Sequence, residues 1–188
     1  MLESAENAGE VPGDITAAEA AAEVKVLSRV QGVLKRPGTV KAARGMSHFG
    51  EHSIGWFAAG LVGAALDKPR RKEWLTASFG VVGAHAASIA VKRVVRRPRP
   101  DDPSVEVLVG TPSKLSFPSS HATSTTAAAV LYSGLTGRNL VPVLVPPMLA
   151  SRLVLGVHYP TDVLAGAALG GAVGGVLRRF MSRNKRSR

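Results

Sequence analysis

Three short clusters hold residue types suited to phosphate chemistry. They are Lys92 with Arg99-Pro100, then Pro118-Ser119-Ser120-His121, then Ser151-Arg152 with His158 and Asp162. Fixed cations such as Lys92, Arg99 and Arg152 can surround a phosphate and stabilise the equatorial charge that grows during its transfer. An arginine fork binds two oxygens at once. Pro118 before two serines reads as a loop feeding a helix start, where backbone N–H groups and the helix dipole attract anions. Asp162 can turn back to accept a hydrogen bond from His158, fixing its tautomer and leaving the other ring nitrogen free to attack. With two imidazoles in the set, one can attack and the other protonate what leaves.

Each cluster also has a plainer reading. Pro-Ser-Ser-His alone is an ordinary helix cap, worth about 1 kcal/mol. A His–Asp pair is often structural. Arg93, Arg96 and Arg97 read as interfacial side chains whose stems lie along apolar surface. Arg152 differs, because it interrupts an apolar block between Leu149-Ala150 and Leu153-Val154-Leu155. An arginine inside such a block normally faces a cavity or a partner.

The elements that would position these residues are apolar and helical. Of 188 residues 45% are hydrophobic, and they gather in blocks nearly free of charge. The blocks are 54–66, 74–91, 121–137, 139–151 and 161–177, rich in glycine and alanine, as close helix packing in lipid favours. The fold expected is an all-α, polytopic transmembrane bundle of about five spans, roughly 50–66, 74–93, 120–136, 139–157 and 161–178. With alternating spans, the end of the second, the start of the third, the end of the fourth and the start of the fifth share one side. That brings all three clusters together.

Ahead of the bundle, residues 1–15 read as a disordered acidic tail, and Thr16 to Glu19 has the pattern of a capping box. Val26, Leu27, Val30, Val33 and Leu34 then fall on one helical face opposite Lys25, Arg29, Lys35 and Arg36. This predicts an N-terminal amphipathic interfacial helix, with its linker over 16–45, ended by Pro37-Gly38; packing on the bundle or on a partner is the alternative. The catalytic unit is expected over 46–180 and a basic tail over 181–188.

The formal charge of +11 does not point to nucleic acid. The basic residues cluster at block ends, where membrane proteins place them, and no nucleic-acid motif is present. Anionic lipid headgroups are the expected counter-charge. Cysteine is absent, which excludes disulfide and thiol chemistry. The start of the chain lacks the basic-then-apolar pattern of a cleavable signal. The basic first loop and tail fit a cytoplasmic placement, which would turn the clusters outward from a plasma membrane.

Two further histidine sites need weighing. His48-Phe49-Gly50-Glu51-His52 repeats the His-x-x-Glu-His pattern of inverted zinc peptidases. Gly50 weakens the helix that pattern requires, and no context for a third ligand is visible. The reading set against it is that His48, Glu51 and His52 line the mouth of the phosphate site or bind the substrate's headgroup. His85, between two alanines in mid-span, reads as a packing residue.

At the three clusters the chain resembles the type 2 phosphatidic acid phosphatase (PAP2) family. That family's signature is Lys, six residues, Arg-Pro; then Pro-Ser-Gly-His; then Ser-Arg, five residues, His, three residues, Asp. Lys92 to Pro100 and Ser151 to Asp162 match that spacing, and Ser120 stands in place of the glycine. Serine keeps the N–H contact and adds a hydroxyl, and would be strained only if φ > 0 were needed there. The resemblance implies metal-independent hydrolysis of a lipid phosphate through a phosphohistidine, with no cofactor. His158 is then the nucleophile, Asp162 its orienting carboxylate and His121 the proton donor; Lys92, Arg99, Ser119, Ser120 and Arg152 hold the phosphate. The compact size, the alanine- and arginine-rich composition and the segment 47–52 resemble actinobacterial members of the family, some linked to decaprenylphosphoryl-5-phosphoribose dephosphorylation. Undecaprenyl diphosphate, phosphatidic acid and phosphatidylglycerol phosphate are the other substrates expected. A non-catalytic binder of anionic lipids is the alternative of a different class.

Overall fold

The structure, a computed structural model, describes the backbone of residues 17–186 and the side chains of 19–183. The acidic segment 1–15, Thr16 of the capping pattern and the last residues of the basic tail lie outside the described residues. Seven α-helices make up the described chain: α1 Ala17–Leu34, α2 Pro37–Gly50, α3 Ile54–Leu66, α4 Arg71–Val95, α5 Ser120–Thr136, α6 Val141–Val154 and α7 Pro160–Arg186. Among the described residues there is no β-strand, only an isolated bridge between Pro98 and Leu115. The all-α expectation holds, and helices α3 to α7 stand where the five apolar blocks placed them.

Five full spans are a different matter. Among the described residues, only α4 with its preceding turn, 68–95, and α7, 160–183, are long and apolar enough to cross a membrane. Helices α3 and α6 have 13 and 14 residues, about 20 Å of helix against roughly 30 Å of hydrocarbon. Many large apolar side chains nevertheless point outward. Ile54, Leu66, Phe79, Val94, Val143 and Phe180 are each more than half exposed, and they are spread over α3, α4, α6 and α7. A helix bundle in water would not normally display that much apolar surface on four faces.

The centre of the bundle is α5, whose residues 122–129 are all buried. It can be central because it is built from Ala, Ser and Thr, which let neighbouring backbones approach. The partner that comes nearest is α7. Gly166, Gly170 and Gly174, four residues apart on one face, lie against Ser119, Thr123 and Ala127 of α5. A Cβ at Gly170 would collide with the Thr123 carbonyl oxygen. This groove sets the register between the first turns of the two helices.

The amphipathic helix forms as α1, and its two sides have separate uses. Val26, Val33 and Leu34 remain largely exposed, while Leu27 and Gln31 are buried against the bundle. Gln31 donates to the carbonyls of Glu106 (2.7 Å) and Val154 (3.0 Å) and accepts from the Glu106 N–H (3.0 Å). The stretch expected as a linker up to residue 45 is instead α2. Pro37 sits in its first turn, where the missing N–H has no partner to lose; it therefore ends α1 and starts α2.

Candidate active site

Each candidate side chain sits at a helix end or in the loop that leaves it, and a local signal places it there. Helix α4 terminates at Arg96 in a left-handed conformation (φ 54), and the chain then returns along 96–119 over the helix ends. Lys92 holds this loop down. Its Nζ donates to the carbonyls of Leu115 (3.1 Å), Ser116 (3.0 Å) and Pro118 (3.0 Å). With those bonds made, Lys92 brings charge to the cavity more than a free N–H. Arg99 is anchored through the carbonyls of Ser113 (2.8 Å) and Val157 (2.6 Å), and one terminal nitrogen lies 3.2 Å from His158 Nε2. Burial draws the Arg99 guanidinium down to about 10, against the pull of Asp162, so it remains cationic at neutral pH.

Ser119 caps α5, its hydroxyl accepting from the Ala122 N–H at 3.4 Å. It is fully buried and stands behind the cavity wall; Ser120 and His121 are on the wall. Ser120 is the first residue of α5 and is not among the positive-φ residues. Serine in the glycine position is therefore unstrained. Its hydroxyl accepts from Ser88 on α4 at 2.8 Å. His121 Nε2 lies 3.0 Å from the Ser47 carbonyl of α2. A carbonyl only accepts, so that nitrogen carries a proton.

Helix α6 ends three residues short of the expected 157. Gly156 takes φ 68, its N–H bonds to the Leu153 carbonyl (3.0 Å) and the Val157 N–H to that of Arg152 (3.3 Å). This glycine-closed end turns the chain back and delivers His158 beside Arg152. Arg152 is 1% exposed, and its Nε and one terminal nitrogen have no hydrogen-bond partner. His158 is equally buried. Its Nδ1 stands 3.4 Å from Asp162 Oδ2 and makes no hydrogen bond there, so the expected bond is replaced by a longer contact. Burial first, then Arg99, Arg152 and Lys92, push the His158 imidazole well below its usual value. It is neutral at pH 7, as a nucleophile must be.

One group that sequence reasoning misread braces Asp162. Arg97, expected as an interfacial side chain, is 9% exposed and donates to Asp162 Oδ1 at 2.9 Å. It also donates to Thr161 Oγ1 (2.8 Å), pairs with Glu23 of α1 and lies 3.9 Å over the Tyr159 ring. Glu23 in turn accepts from the Thr161 N–H (3.0 Å) and hydroxyl (2.7 Å). Asp162 Oδ2 takes the Tyr159 N–H at 2.8 Å. So α1 is tied through Glu23 and Arg97 to the carboxylate beneath His158. Breaking a buried pair on one side leaves the other charge uncompensated. Arg97→Ala is therefore expected to destabilise the fold by about 3 kcal/mol or more, with Arg97→Lys recovering part of the loss. Thermal unfolding in detergent measures both.

Lys92, Arg99, Ser120, His121, Arg152 and His158 all line one cavity of about 310 Å³, and Glu51, His52 and His85 line it too. His48 is not on that wall, and its side chain is three-quarters exposed. The break between α2 and α3 explains the difference: His52 (φ 50) and Ser53 (φ 60) are both left-handed, so the His-x-x-Glu-His segment is not one helix. Among the described residues no group of three His, Asp or Glu side chains is arranged to hold a metal. His85, expected to be a packing residue, is instead on the cavity wall with its Nδ1 unpartnered.

Residues 73–186 match the PAP2 superfamily. The chain is 54% identical over 167 residues to the decaprenylphosphoryl-5-phosphoribose phosphatase of Mycobacterium tuberculosis, covering 88% of this chain and 94% of that protein. It is 57% identical over 145 residues to the phosphatase of the same name from Mycolicibacterium smegmatis, covering 77% and 81%. The crystal structure of a transmembrane PAP2-type phosphatidylglycerolphosphate phosphatase from Bacillus subtilis superposes with a TM-score of 0.77 at 22% identity, over 92% of this chain and 90% of that one. A match that runs through all three clusters, with relatives more than half identical along most of its length, makes this chain a member of the PAP2 superfamily.

Proposed function

We propose that the protein is a metal-independent membrane lipid phosphatase that removes the terminal phosphate of decaprenylphosphoryl-5-phosphoribose, the lipid named for its mycobacterial relatives. The observation that carries the reading is the convergence of Arg152, with unpaired buried N–H groups, on two histidines in one cavity. Arg152 and Arg99 grip the phosphate oxygens, with Lys92 adding charge and the Ser120 end of α5 adding donors. His158 Nε2 attacks phosphorus, and Asp162 steadies the imidazolium that forms. His121, entering as the imidazolium, exchanges the Ser47 carbonyl for the leaving oxygen, protonates it and is left as the neutral imidazole. A water then attacks the phosphohistidine, returning a proton to His121 and releasing inorganic phosphate.

In this reading α3 to α7 form the bundle within a bacterial plasma membrane, which also supplies anionic lipids for the basic helix ends. The start of α4 and the ends of α5 and α7 share a common groove lined by Glu73, Leu135 and Arg178, opposite the site. Lys68, Arg70, Arg71 and Lys72 gather there as well, which favours a cytoplasmic face for that end and an extracytoplasmic cavity.

The test is phosphate release by purified protein in detergent from a panel of lipid phosphates. The panel contains the phosphoribosyl lipid, undecaprenyl diphosphate, phosphatidic acid and phosphatidylglycerol phosphate. Turnover is expected to be fastest on the phosphoribosyl lipid, indifferent to EDTA and inhibited by vanadate. Loss of activity on chelation with recovery on adding zinc would overturn the mechanism, and absence of turnover on every lipid would leave a non-catalytic binder.

A further inference from the structure

Beside the phosphate cradle, the cavity has a wall of opposite character made by Glu51, His52 and His85. Glu51 is close enough to Arg152 for the two charges to interact. Its ion-pair contact with His48 is long, at 4.0 Å, with both side chains substantially exposed. A carboxylate facing into a phosphate pocket repels any second phosphate placed against it. It accepts only from donors. On a ligand that already carries phosphate, the neutral groups able to donate to it are hydroxyls.

The two imidazoles fit the same partner. His85 has a buried ring nitrogen with no partner in the protein. Its ring centroid lies 6.2 Å from that of His52, at 45°, close enough for both rings to reach adjacent oxygens on one small ligand. A neutral imidazole has one donor and one acceptor nitrogen, which complements a hydroxyl that does both. The backbone is bent to bring this wall about. His52 and Ser53 are consecutive non-glycine residues with φ of 50 and 60. Such conformations are costly and gather where function requires them. Here they end α2 so that Glu51 and His52 turn to the cavity and His48 turns away.

We propose that Glu51, His52 and His85 form a polyol subsite, which holds the adjacent hydroxyls of a sugar carrying the scissile phosphate. This rests on the phosphatase reading and deepens it. The cavity of about 310 Å³ has room for a sugar phosphate and leaves a polyprenyl tail outside. The subsite selects a sugar whose terminal hydroxyl carries the scissile phosphate over a lipid diphosphate, whose second phosphate would meet Glu51.

The experiment compares kcat/KM for farnesylphosphoryl-5-phosphoribose and farnesyl diphosphate in the wild type, Glu51→Gln and His85→Phe. Taking the ratio within each preparation cancels differences in the folded fraction, and two variants guard against one failing to fold. The ratio is expected to fall by about 10- to 100-fold in each variant, the effect of losing a hydrogen bond to bound substrate. In Glu51→Gln, part of the fall should come from faster diphosphate cleavage. A ratio unchanged within about 3-fold in both variants, with a wild type that prefers the sugar lipid, overturns the subsite and leaves the phosphatase standing. A wild type that cleaves both lipids without preference denies the sugar substrate and the subsite together.

Discussion

Replacing His158 by alanine is expected to lower kcat by roughly ten-thousand-fold or more, the scale seen when a covalent nucleophile is removed from a preorganised site. Arg99, Arg152 and the α5 start remain in the variant, so lipid phosphate should still bind with KM near that of the wild type. Rapid quench with lipid carrying a radiolabelled phosphate should trap label on the wild type in an acid-labile, alkali-stable linkage, as a phosphoramidate requires, and none on His158→Ala. The pH profile gives a second readout. The reactive form is the neutral imidazole, and burial with three neighbouring cations holds His158 well below its usual value. Protonation therefore removes the nucleophile only well below the pH at which a free imidazole titrates. The acid limb of kcat/KM assigned to this group is expected on that low side. Label retained by His158→Ala would show that the covalent bond forms elsewhere.

Arg152 should give effects of opposite sign on activity and stability. It is almost fully buried with two nitrogens unpartnered, so the fold carries a desolvated cation that Glu51 offsets only in part and a phosphate anion would pair. Arg152→Ala is expected to cost about a thousand-fold in kcat/KM, near the upper end for removing a preorganised donor. Arg152→Lys retains the charge without the fork and should recover only part of this. Arg152→Met, which fills the space with an apolar side chain, should raise the unfolding temperature in detergent, because replacing a buried charge by a hydrophobic residue is often neutral or stabilising. Vanadate should raise the unfolding temperature of the wild type and leave that of Arg152→Met unmoved. A variant less stable than the wild type, yet protected by vanadate, would count against Arg152 as the main anion ligand.

The site was legible in the sequence where its spacing is short. His158 and Asp162 lie on one turn, and Arg152 stands out because it interrupts an apolar block. Helix order did the rest, since alternating helices bring those ends together without any knowledge of packing. Arg97 was illegible for the converse reason. It lies in an arginine-rich run where each residue resembles the next, and its partner Glu23 is 74 residues away. Only a structure chooses which arginine turns inward. His85 did carry a signal: an ionisable side chain in mid-span is a functional candidate by default, and reading it as packing discounted that rule. The helix α2 was hidden by Pro37, because a proline that stops one helix looks the same in sequence as one that opens the next. The short α6 was hidden by Gly156, whose turn falls inside an otherwise uninterrupted apolar run.

The glycines of α7 have one more implication. Sliding that helix by a single turn would carry Asp162 about 5.4 Å from its station under His158, and the Thr123 carbonyl seated at Gly170 blocks the shift. Asp162 is thus held at a fixed height beneath His158.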